Sequence, residues 1–68
     1  MATIDIVKLC RDAGNDLKAD LGGADLDDSM AYEIAGCLLD DPDTLAAAQK
    51  MWPGKSRQIL QEIMADRI

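Results

Sequence analysis

Asp40-Asp41-Pro42-Asp43 is the stretch on which the fold of this chain turns. Proline suits the first position of a helix, because the N–H it lacks would be unpaired there and its fixed φ is already helical. An aspartate before it can accept from an orphaned amide, and one just after it meets the positive end of the helix dipole. Residues 40–43 therefore close one helix and open another, with Asp41 as N-cap, Pro42 as first helical residue and Asp43 in the first turn. Downstream, Leu45, Ala46, Ala47 and Ala48 carry that third helix to about Met51. Pro53-Gly54 stops it, and Trp52 is pushed out of helical conformation by the proline that follows.

The same reading extends in both directions. Ser56 can cap a fourth helix with Ile59, Leu60, Ile63 and Met64 on its apolar face and Gln58, Gln61, Glu62 and Asp66 mostly opposite. Upstream, Met30, Ile34, Cys37 and Leu38 form the stripe of a second helix that starts at Asp27 or Asp28, with Leu26 placed as a hydrophobic staple. Gly22-Gly23 ends the first helix, since glycine takes the left-handed conformation without a Cβ clash. In that helix, capped by Thr3, Ile6, Cys10, Ala13, Leu17 and Leu21 recur at spacings of 4, 3, 4 and 4. No segment alternates as a strand would. The expected fold is all-α, a compact bundle of four short helices forming one domain over residues 1–68.

A chain of 68 residues buries only about 60 % of the surface its unfolded form exposes. Two helices nevertheless carry apolar residues over a wide arc: Ile4, Ile6, Val7, Leu9 and Cys10 on the first, and Ile59, Leu60, Ile63, Met64 and Ile68 on the fourth. Two readings stay open. Either helix one is the central element of a monomer, or helices one and four form the seam of a homodimer, which would also relieve the thin stability of a small core.

Seven basic and thirteen acidic residues give a net charge of -6, and there is no histidine. That charge is segregated. Asp20, Asp25, Asp27, Asp28, Glu33, Asp40, Asp41 and Asp43 occupy the window from 20 to 43 without a single Lys or Arg. The tail from Lys50 onward carries Lys50, Lys55, Arg57 and Arg67 against Glu62 and Asp66. Capping and dipole effects explain three or four of the window acids. Eight unrelieved like charges exceed that need, because neighbouring like charges repel. They form either a solvated acidic face or a surface for a basic partner, whose encounter such a field would speed.

The absence of histidine excludes histidine-based triads and zinc sites, and no glycine-rich phosphate loop is present. Asp25-x-Asp27-x-Ser29 echoes the start of a calcium loop. Met30 stands where that loop needs glycine, and Gly36 where it needs glutamate. The expectation is a non-enzymatic protein without cofactor or metal. Cys10 and Cys37 make no C-x-x-C pair and lie on apolar stripes, so both are expected as small buried free thiols. With no basic-then-apolar leader and no apolar run near the roughly 18 to 20 residues of a membrane span, the expected location is the cytoplasm.

The function these features point to is stoichiometric binding: a small acidic inhibitor or regulator that engages a protein with a basic surface, such as one that handles nucleic acid. By analogy of class, viral anti-defence proteins and small antitoxin-like inhibitors act this way. The expected contact residues are the window acids outside simple caps, Asp20, Asp25, Asp28, Glu33 and Asp40, with Trp52 as an apolar anchor. The overall acidity argues against direct nucleic-acid binding. One alternative is a helix-turn-helix regulator built from helix three, the Pro53-Gly54 turn and helix four, with Lys55, Arg57, Gln58 and Gln61 facing phosphates and base edges. Another rests on Leu21-Gly22-Gly23-Ala24-Asp25-Leu26-Asp27-Asp28-Ser29-Met30. This stretch resembles the acyl and peptidyl carrier proteins, small acidic four-helix domains with a serine at the start of their second helix. That resemblance implies a phosphopantetheine arm on Ser29.

Overall fold

The computed structural model describes residues 4–68, which form α1 (Ile6–Asp20), α2 (Asp28–Leu39), α3 (Pro42–Met51) and α4 (Arg57–Arg67), with no strand among the described residues. Each helix starts where a side-chain oxygen satisfies an amide three residues on. Asp5 accepts from the Lys8 N–H at 3.1 Å and Asp27 from the Met30 N–H at 2.8 Å. Asp41 accepts from the Thr44 N–H and the Ser56 hydroxyl from the Ile59 N–H, each at 3.3 Å. Pro42 is the first residue of α3, as its preset φ predicts. The cap of α1 differs from the expectation. Asp5 fills that role, with extended backbone (φ -89, ψ 99) and its carboxylate over the first turn; Thr3 lies outside the described residues.

The helix ends also follow local chemistry. After α1, the Gly22 N–H donates to the Ala19 carbonyl and the Gly23 N–H to the Lys18 carbonyl, the paired bonds of a Schellman motif. Both glycines have positive φ, 73 and 88, which is why two glycines stand there. Trp52 leaves the helical region (φ -126, ψ 78) ahead of Pro53.

The core is small: Ile6 and Cys10 from α1, Ala35 and Leu39 from α2, Ala48 from α3, and Leu60 and Met64 from α4. All four helices contribute, and α2 packs chiefly along α4. The buried face of α2 corrects the predicted stripe. Ala31, Ala35 and Leu39 are buried, while Met30, Ile34 and Leu38 are only partly covered and Cys37 is exposed. The face is rotated toward Ala31, Ala35 and Leu39, the side that the core covers, on a helix that packs chiefly on α4. The Gln61 side chain reaches across from α4, so that a Cβ on Gly36 would sit 2.6 Å from Gln61 Nε2. Leu21 and Ile59 were also expected on buried faces. Leu21 lies past the last turn of α1 and Ile59 on the outer side of α4, and both are exposed. Ile4, expected on the first helix, precedes the Asp5 cap and is exposed as well.

Two glycines respond differently to this packing. A Cβ on Gly14 would lie 2.7 Å from the Ile68 backbone oxygen, so α4 could not close on α1 without a backbone shift. At Gly36 the obstacle is the movable end of the Gln61 side chain. Alanine gains about 1 kcal/mol over glycine in a helix, whereas forced overpacking costs about 1–3 kcal/mol. Gly14→Ala is therefore expected to lower the melting temperature and Gly36→Ala to leave it nearly unchanged, as thermal unfolding followed by circular dichroism will show.

The cysteines form a second contrast. Burial pushes the Cys10 thiol above its ordinary value, with the charge of Arg67 partly opposing, and Cys37 is a free, exposed thiol. Native protein treated with iodoacetamide near neutral pH is expected to be labelled at Cys37 first, as mass spectrometry of the peptides will show. Holding Cys10 protonated also sets a pH dependence. Its folded-state value lies above its unfolded one, so the stability it lends is complete below the unfolded value and lost as pH rises through the folded one.

Among the described residues, no helix is long and apolar enough to cross a membrane.

Candidate functional site

Two adjoining clefts form a continuous acidic groove where the start of α2 meets the end of α4. Asp28, Ala31, Ala65 and Asp66 line both parts. The larger part, about 420 Å³, extends toward the α1–α2 connection and adds Asp25, Asp27 and Lys18. The smaller, about 310 Å³, runs between the helices and adds Tyr32 and Glu62. Asp25, Asp27, Asp28, Glu62 and Asp66 thus face a single ammonium, that of Lys18. The floor is Ala31 and Ala65, short side chains that leave room for an incoming one. Asp27 is partly engaged, since its carboxylate caps α2. Among the described residues, none of these five acids has a basic side chain within ion-pair distance.

The site follows from local sequence. Asp25, Asp27 and Asp28 lie where the chain leaves the Gly22-Gly23 stop and enters α2. Glu62 and Asp66 are four residues apart on α4 and so share a face. Asp66 is also locally unfavourable, because a negative charge in the last turn opposes the helix dipole. No group of His, Cys, Asp and Glu among the described residues is arranged to hold a metal ion.

Of the six residues expected to contact a partner, only Asp25 and Asp28 line this groove. Asp20 is exposed at the end of α1 and Glu33 is exposed on α2 without lining the groove. Asp40 lies at the far end of α2 in an ion pair with Arg57. Trp52 is half-buried and packs on the core, as a turn anchor. Sequence reading missed Glu62 and Asp66, whose signal was their spacing of four on a helix judged by its net basic charge. It also set Asp27 aside as a cap.

Two of the four side chains considered for nucleic-acid contact are engaged within the fold. Arg57 donates to the Gly36 carbonyl at 3.2 Å as well as to Asp40. This places a cation at the C-terminal end of α2, a helix without a basic residue in its own last turn. Gln61 Nε2 donates to the Tyr32 carbonyl at 2.8 Å. Lys55 and Gln58 are exposed. Ser29 is exposed in the first turn of α2.

Known protein families, characterised proteins and solved structures yield no significant match to this chain. The functional reading therefore rests on the site itself.

Proposed function

We propose that this protein is a non-catalytic binding protein whose acidic groove takes a basic segment of a partner protein, acting as a stoichiometric inhibitor or regulator of that surface. The observation that carries this reading is the convergence of five carboxylates from two separate parts of the chain on one groove with an alanine floor. A lysine or arginine fits such a groove, its aliphatic stem against Ala31 and Ala65 and its charged head among the carboxylates. The placement of Asp66 supports the same reading. Residues that break a local rule without structural gain tend to mark function. The field of the groove would also speed encounter with a basic protein and disfavour acidic ones.

The test uses an arginine-rich peptide as probe and the double variant Asp28→Lys, Asp66→Lys. Wild-type protein is expected to bind the peptide saturably, with amide shifts centred on Ala31 and Ala65. The double variant is expected to lose that binding and to melt close to the wild type, because lysine near the end of α4 complements its dipole by about 0.3–1 kcal/mol while lysine in place of Asp28, in the first turn of α2, opposes the dipole of α2 by a similar amount. Unchanged affinity in the variant, or shifts spread over the whole surface, would reject the groove as the binding site.

A second reading has one observation in its favour. Ser29 is exposed in the first turn of α2, where a carrier protein holds its phosphopantetheine. Intact mass after incubation with coenzyme A and a phosphopantetheinyl transferase decides it; an unmodified mass ends that reading.

A further inference from the structure

At the opposite end of α1 from the acidic groove, the helix and α3 enclose an apolar cleft of about 220 Å³. Ile4, Ile6, Ala47 and Met51 line it, and Ile4 also joins it to a shallower depression that reaches Leu9. Ile4 and Met51 are 37 % and 49 % exposed, a large apolar exposure for two neighbouring positions of so small a core.

The charges on this face differ from those elsewhere. Lys8 and Lys50 stand beside Asp5 and Asp12, so the face is neutral in a chain of net charge -6. Two copies of such a chain repel each other wherever acidic surfaces meet. A twofold interface also brings one patch against itself, so that patch must be self-complementary. A neutral face with two cations, two anions and an apolar centre meets both conditions, and the acidic groove meets neither.

We propose that the α1–α3 face, centred on Ile4 and Met51, is the surface on which a second copy of this chain docks. This face differs from the α1–α4 seam that the sequence left open, because Leu60 and Met64, two of the five apolar residues of that α4 face, are consumed by the core. A stable interface needs about 800 Å² from each partner, roughly one-sixth of the total surface of 4598 Å². Covering Ile4 and Met51 would also add apolar burial to a core that is thin for independent stability.

Sedimentation velocity of the full chain over two decades of concentration tests this. The mass is expected to double as concentration rises. Met51→Glu places a carboxylate at the apolar centre and is expected to hold the mass at the monomer value throughout. Lys50→Glu, an exposed change that upsets the neutral balance, is expected to raise the dissociation constant at least tenfold, and circular dichroism checks that both variants keep their helices. Ile59→Glu, on the outer face of α4, is expected to leave the doubling intact. A wild-type chain that stays monomeric, a dimer that survives both Met51→Glu and Lys50→Glu, or loss of the dimer in Ile59→Glu alone would overturn the proposal.

Discussion

Leu60→Ala is expected to leave much of the population unfolded at 25 °C. Leu60 is fully buried and belongs to the cluster to which all four helices contribute. Truncating a buried leucine costs about 2–5 kcal/mol, the lost transfer energy plus the cavity that remains. A domain of this size rarely has more than about 3–5 kcal/mol to lose, so one substitution can remove nearly all of it. The neighbouring change Ile59→Ala is the control. Ile59 is 43 % exposed, and its truncation removes little buried area. Urea unfolding of both variants, followed at 222 nm, checks the contrast. Equal stabilities would mean that the two residues share burial and that α4 presents a different face to the core.

Asp41→Ala carries the second large effect, because this carboxylate serves two groups. It accepts from the Thr44 N–H, capping α3, and from the Thr44 hydroxyl at 2.9 Å. Thr44 is buried. Loss of the cap alone costs about 0.5–2 kcal/mol, and a buried hydroxyl left without a partner adds about 1–3 kcal/mol. The two components separate in a double-mutant cycle. In a Thr44→Val background, where the hydroxyl is gone and the shape retained, Asp41→Ala is expected to cost only the cap. Purely additive losses would show that the hydroxyl contributes nothing through Asp41.

Much of the fold was legible because its signals act over three or four residues. Asp27, Asp41 and Ser56 were readable as caps, Pro42 as a first helical residue and Gly22-Gly23 as a stop, since each satisfies or frees backbone groups in its own turn. The face a helix buries was less legible. For α2 the larger residues Met30, Ile34 and Leu38 drew the stripe, while the buried positions are Ala31, Ala35 and Leu39. Hydrophobic size drew that stripe, whereas burial depends on which side of α2 the rest of the fold covers. Cys37 was misplaced for that reason.

The acidic groove divides in the same way. The dense acids of residues 20–43 stood out from composition, and two of the chosen ones, Asp25 and Asp28, line the groove. Asp40 was chosen on the same ground, but Arg57, seventeen residues later, pairs with it. Glu62 and Asp66 belong to a segment with net positive charge and join the groove because the end of α4 lies against the start of α2. By itself the sequence determined four helices, their ends and the segregation of charge, because capping, glycine and proline chemistry and charge density are local properties. Only the tertiary structure decided which acids are paired, which face one cleft, and which apolar residues remain uncovered, because those depend on groups that meet across distant parts of the chain.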